Sequence, residues 1–348
     1  MNRSLVDRRS IVSAAALWIA GLGATGALAQ GKPEKTKVAI AVGVKASFQY
    51  LPLTIAERLG YFGAEGLDVE ITEYGAGARA VQAMQEGSID VVGGAFEQTI
   101  AAQGRKQFPR AFVLLGRAPQ VAFGVSNRTM ASFKSIAELK GRKVGVSTPG
   151  SSTQMVASMV LARAGVSPDA VAFVEIGSVA AAVAAVRSGQ VDAMSYTEPV
   201  MTMLEHKSDV RIISDTRTLK GTLEVFGGPM PAACLYAPGE FIEKNPNTTQ
   251  ALANAVVHAL KWLQTAGPSD LIKVVPEGYL LGDRSLYLAA FNKIRETIAV
   301  DGLVSDEGAK TALRAVGRID RAFKTDQVDL ARSFTNAFAR KAKEKFLA

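Results

Sequence analysis

The stretch Lys143-Val-Gly-Val-Ser-Thr-Pro-Gly-Ser-Ser-Thr-Gln154 decides the fold, together with the run Met155-Val-Ala-Ser-Met-Val-Leu-Ala-Arg-Ala-Gly165 that follows it. Residues 144–146 read as a short buried strand and Pro149-Gly150 as a sharp turn. Ser151 or Ser152 serves as the N-cap of an apolar-faced helix that Gly165 stops. The first turn of such a helix leaves backbone N–H groups without intrahelical partners at the positive end of its dipole. Gly150, Ser151, Ser152 and Thr153 are therefore candidate contacts for a carboxylate, sulfonate or nitrate group. The stretch holds no catalytic side chain, and the same residues also suit an ordinary capped turn of an α/β domain.

Working outward, the pattern recurs at a constant spacing of 102 residues: Glu73 matches Glu175, Gly75 matches Gly177, Val81 matches Val183, Gly87 matches Gly189 and Asp90 matches Asp192. An ordered series at one offset indicates two halves built on one βα plan. Open α/β sheets bind ligands beyond the carboxyl ends of their strands. Two such halves facing each other enclose a cleft, lined by residues 44–50, 75–77, 93–99, 148–153, 177–178 and 195–198. Strands are expected at residues 37–42, 67–73 and 232–237. Helices are expected at residues 249–264, 284–300, 307–316 and 328–345. The second half is an insertion, with crossings expected near residues 119–125 and 219–231.

The chain has 348 residues, 48% hydrophobic and 21% charged, which suits a globular protein of about two domains. Residues 1–29 differ from the rest: Arg3, Arg8 and Arg9 precede an apolar run ending in Ala27-Leu28-Ala29, which reads as a cleaved export signal with twin-arginine character. No cysteine stands at the cleavage point, so an exported, unlipidated periplasmic protein is expected. The single cysteine, Cys234, excludes an internal disulfide and reads as a buried strand thiol. The formal charge is +8, and residues 1–29 carry three Arg and one Asp, so the mature chain is near +6. The basic residues are scattered without aromatic interleaving, which gives no sign of nucleic-acid binding.

Enzymatic signatures are missing. His206 and His258 lack any ligand spacing, and neither a G-x-S-x-G elbow nor a P-loop occurs. Hydrogen-bonding candidates at strand ends are Ser47, Gln49, Thr99, Ser151, Ser152, Thr153 and Thr197, and candidate apolar walls are Phe48, Tyr50, Phe96, Tyr196 and Phe226. Glu97 and Glu198 either meet an amino group of the ligand or make inter-lobe and helix-cap contacts. Two carboxylates facing one cavity would need a zwitterionic ligand or a protein cation such as Arg79 or Arg117.

The order of Pro52-Leu-Thr-Ile-Ala-Glu-Arg-Leu-Gly-Tyr-Phe62, Glu65-Gly-Leu-Asp-Val69, Met84-Gln-Glu-Gly-Ser-Ile-Asp90, Leu139-Lys-Gly-Arg-Lys-Val-Gly-Val146 and Gly189-Gln-Val-Asp-Ala193 with Glu198-Pro199 resembles the nitrate/sulfonate/taurine-type periplasmic substrate-binding proteins of ABC transporters. The resemblance implies a type II periplasmic-binding-protein fold: two α/β lobes with a ligand cleft between them and two crossover strands. With the crossings read along the chain, residues 36–120 and 226–348 are expected to form lobe 1 and residues 121–225 an inserted lobe 2. It further implies lobe closure on a small organic anion or zwitterion, docking of a monomer on permease transmembrane subunits, and neither cofactor nor metal. Carried onto matching positions, the contacts are Ser47, Phe48, Gln49, Gly94, Ala95, Phe96, Gly150, Ser151, Ser152, Thr153, Thr197 and Glu198. Pyrimidine synthases of the yeast type share the fold, but their cysteine-rich motif is absent; an enzyme acting on a heterocycle and a receptor serving a sensor remain the alternatives.

Overall fold

The computed structural model describes residues 31–347, so the expected export signal lies outside the described residues. Among the described residues ten strands follow one another: β1 (Lys37–Val42), β2 (Asp68–Glu73), β3 (Val91–Ala95), β4 (Pro109–Leu114), β5 (Val121–Ser126), β6 (Lys143–Val146), β7 (Ala172–Glu175), β8 (Ala193–Thr197), β9 (Val210–Asp215) and β10 (Ala233–Pro238). They form two five-stranded sheets, ordered β2-β1-β3-β10-β4 and β7-β6-β8-β5-β9. In both sheets the first three strands are parallel and the fourth is antiparallel to its neighbours. That fourth strand is always the newcomer: β5 follows β4 of the first sheet, and β10 follows β9 of the second. Each half is thus completed by chain arriving from the other, through residues 115–120 and 216–232.

The 102-residue correspondence has a physical basis in paired aspartates. The Asp90 carboxylate accepts the Ala39 N–H at 3.0 Å, and the Asp192 carboxylate accepts the Lys143 N–H at 3.1 Å. The backbone amides of the same aspartates donate to the Ala39 and Lys143 carbonyls. In both halves one residue pins the strand that returns from a helix, β3 or β8, to its parallel neighbour, β1 or β6. The helices that precede it, Gly77–Gln85 and Val179–Ser188, are followed by Gly87 at φ +76° and Gly189 at φ +78°, a left-handed conformation in which glycine avoids the Cβ penalty.

Several expectations need correction. β5 occupies the place expected for the first crossing, because all six of its residues are buried between β8 and β9. Much of the expected second crossing is the helix Leu219–Phe226, capped by Thr218, and β9 stands outside the expected strands as a half-buried edge. The helix expected at residues 284–300 stops at Ile294 and gives way to a 3-10 turn, Arg295–Thr297. The last helix begins only at Ala337, because the chain before it lies along β4: the Ala111 N–H donates to the Ser333 carbonyl at 2.9 Å and the Thr335 N–H donates to the Ala111 carbonyl at 2.8 Å. An edge strand needs such cover, and that demand overrides the helical spacing.

The first sheet carries the larger core, over which the helix Pro246–Thr265 lies with thirteen of its residues buried. Inside the second crossing, a Cβ on Gly221 would overlap the carbonyl oxygen of Asp215. Gly221→Ala is expected to lower stability by about 2–3 kcal/mol, read as a reduced urea midpoint at unchanged slope.

Candidate functional site

Loops at the carboxyl ends of the strands meet around a cavity of about 40 Å³. The first half contributes Gly43, Val44, Ser47, Gln49, Tyr50, Ala76, Gly77, Ala95 and Gln98. The second contributes Ser147, Ser151, Ser152, Thr153, Tyr196 and Thr197, and Ala232 and Ala233 close it from the second crossing. The halves touch directly here. The Phe48 N–H donates to the Glu198 carbonyl at 3.1 Å, and beside it Gln49 Nε2 donates to the carbonyl of Pro119, in the first connection, at 2.7 Å. At the rim Arg79 pairs with Glu175 at 2.5 Å, while the other Glu175 oxygen accepts from Thr148 Oγ1 at 3.1 Å.

Hydrogen bonding fixes what the cavity presents. Ser151 caps the helix Ser152–Arg163 by accepting the Gln154 N–H, Gln154 Oε1 accepts the Gly150 N–H at 2.6 Å, and the Ser151 N–H donates to the Thr148 carbonyl. Thr153 Oγ1 accepts the Ser147 N–H at 2.9 Å. The amides of Ser152 and Thr153 are left without a protein acceptor among the described residues, as a helix start dictates. Across the cavity, Gln98 Oε1 accepts from Ala95 N and from the Tyr236 hydroxyl, so its Nε2 is the end directed toward Gly77. Thr197 is 8% exposed and its hydroxyl has no partner among the described residues. The lining is therefore rich in neutral donors and holds no ionisable acid or base other than the two tyrosines.

Of the residues expected from sequence, Ser47, Gln49, Tyr50, Ala95, Ser151, Ser152, Thr153, Tyr196 and Thr197 lie on this lining, whereas Thr99 lies off it with its hydroxyl donating to the Phe96 carbonyl. Gly94 sits behind it, where a Cβ would meet the Tyr236 hydroxyl and Gln98 Oε1, and Gly150 takes φ +79° at the turn. Phe48 lies off the lining and packs edge-on against Tyr287 with ring centroids 4.7 Å apart. Phe96 packs against Phe334, and Phe226 is buried at the end of its helix. Gln98, inside the expected loop 93–99, and Ser147, just before the expected loop 148–153, carry no further signal in the sequence.

Glu198 turns away from a ligand role. Its carboxylate accepts the Thr202 N–H and hydroxyl and pairs with Arg217 at 2.6 Å, both side chains being wholly inaccessible. Arg217 also binds Asp215 at 2.7 Å and Glu205 at 3.0 Å, and Lys293 from the helix Arg284–Ile294 joins Glu205 at 3.1 Å. Burial acts to lower the guanidinium, but hydrogen bonds and charge from Asp215 and Glu198 carry it above its ordinary value. The cation that balances Glu198 is thus Arg217 rather than Arg79 or Arg117. Arg217→Met leaves the buried Glu198 carboxylate uncompensated and is expected to cost about 3–5 kcal/mol, with the added change Glu198→Gln restoring part of it in urea titrations.

Glu97 is 5% exposed, lies off the cavity lining and forms no ion pair among the described residues. Burial raises its carboxyl from an ordinary 4.5 to about 7. The folded value exceeds the unfolded one, so the proton-bound form stabilises the fold fully below pH 4.5 and that contribution is lost as pH rises through about 7. Between about pH 5 and pH 8, Glu97→Gln is expected to remove about 1–3 kcal/mol of the decline in stability seen with the native residue. Denaturant midpoints measured across that range provide the check.

A family model described as NMT1/THI5 like matches residues 47–267. The chain belongs to that family. The NMT1/THI5-like chain is 52% identical to a protein of solved structure from Bordetella bronchiseptica RB50, covering 91% of this chain and 100% of that one with a TM-score of 0.89. It is 27% identical to the protein YtlA of Bacillus subtilis over 73% of this chain and 74% of YtlA. In fold it matches the alkanesulfonate-binding protein SsuA of Xanthomonas axonopodis pv. citri, solved bound to MOPS, at 18% identity, TM-score 0.67 and coverage of 87% and 99%. It also matches the periplasmic nitrate-binding protein NrtA of Synechocystis PCC 6803, at 17% identity, TM-score 0.68 and coverage of 90% of each chain. The NMT1/THI5-like chain accordingly has the periplasmic-binding-protein fold expected from its sequence.

Proposed function

We propose that this protein is the exported solute-binding component of an ABC import system, that it takes a small anion or zwitterion, and that it binds without transforming its ligand. The observation that carries this reading is the cavity between the halves, which offers neutral donors from both: Gln98 Nε2 from the first and the Ser152 and Thr153 amides and Thr197 hydroxyl from the second. Neutral donors at a helix start hold an anion without a countercharge. Names given to relatives support it, since SsuA and NrtA are named for alkanesulfonate and nitrate and YtlA carries a binding-protein name.

In this reading residues 36–120 with 226–348 and residues 121–225 act as two lobes. Contacts that exist only when both reach the solute favour closure, and the closed shape is what permease transmembrane subunits in the periplasm recognise. The test is a thermal-shift panel of nitrate, taurine, ethanesulfonate and benzoate, in which a true ligand at about 100 times its dissociation constant adds about 2.7 kcal/mol. Ser152→Pro removes one free amide at a position where proline fits the first helical turn, so it is expected to weaken binding about tenfold or more with unchanged melting of the free protein. Absence of any stabilising anion, or unaltered affinity in Ser152→Pro, would overturn the proposal.

A further inference from the structure

A second concavity, of about 650 Å³, opens on the other side of the second crossing. The crossing itself separates the two: Ala232 and Ala233 line the buried cavity, whereas Gly228, Pro229 and Pro231 line this groove. One wall is the helix Leu219–Phe226, which presents Leu219 and Leu223 one turn apart; the other is formed by Val300, Leu303 and Val304. Leu223 is 56% exposed and Val300 41%, and with Leu347 they are the large apolar side chains left most open among the described residues. Two of these three on facing walls of one groove mark a surface shaped to be covered.

The polar groups of the groove say by what. The Asn336 side chain is consumed by both backbone groups of Val304, Ser305 Oγ accepts the Gly308 N–H, and Asp301 is neutralised by Lys343 at 2.8 Å. Arg117 differs. Its Nε donates to the Glu296 carbonyl at 2.9 Å, which anchors the side chain, but no carboxylate among the described residues lies within ion-pair distance of its guanidinium. An apolar trough with one uncompensated cation calls for an apolar body bearing a single negative group. A volume of this order lies within the range of small-molecule sites.

We propose that the groove is a second ligand site for an apolar monocarboxylate, such as a medium-chain fatty acid, with its chain between Leu223 and Val300 and its carboxylate on Arg117. The site is independent of whichever solute fills the buried cavity. Isothermal titration of the protein with sodium octanoate is expected to give saturable one-to-one binding. Leu223→Asp or Val300→Asp, at exposed positions on opposite walls, should abolish it. Arg117→Gln should weaken it about tenfold while leaving the affinity for neutral octanamide unchanged. The proposal is overturned by non-saturating heats with octanoate, or by equal affinity in Leu223→Asp. It is also overturned if Arg117→Gln has no effect, if Ser152→Pro abolishes binding in place of the groove variants, or if sedimentation shows the groove covered by a second copy of the chain.

Discussion

A guanidinium with no access to solvent has to be surrounded by acceptors, and meeting that demand organises the middle of this molecule. Arg217 stands just after β9, where the chain starts back toward the first sheet. It gathers Glu198 from the end of β8, Asp215 from β9 and Glu205 from the helix Val200–His206. Lys293 reaches Glu205 and Asp215 from the helix Arg284–Ile294. A pair this deep adds little net stability over an apolar replacement, but it penalises any arrangement that leaves one member alone. It thereby fixes where the second crossing leaves its sheet. It also fixes the backbone at Glu198, whose carbonyl receives the Phe48 N–H from the opposite half.

The exchange of strands between sheets has a related effect. Because β5 and β10 are each paired on both sides within the sheet they enter, neither half is complete without the other's chain. The cavity loops sit at the carboxyl ends of the parallel strands in both halves, which brings Gln98 of one half and Ser152 of the other onto a single cavity.

Much of this was legible in the sequence, and the reasons differ by element. The constant offset between Asp90 and Asp192 was readable because each aspartate performs the same backbone-pinning task, which any βα repeat needs. The helix start at Ser151 was readable because a cap is a local device that depends on residues three apart. The roles of Glu198, Phe48 and Phe226 were not readable. A carboxylate or ring at a strand end looks the same whether it faces a cavity or the interior, and its direction is decided by partners far away in sequence: Arg217 for Glu198, and Tyr287 for Phe48. The delayed start of the final helix was hidden for the same reason, since it reflects what β4 requires of a neighbour rather than any property of residues 328–336.

The rim pair between Arg79 and Glu175 leaves 58% and 38% of its two side chains in water. Ion pairs so placed contribute at most about 1 kcal/mol and weaken as salt rises. A clasp that feeble ties the two rims together without locking them, and its strength follows the ionic strength of the water around it.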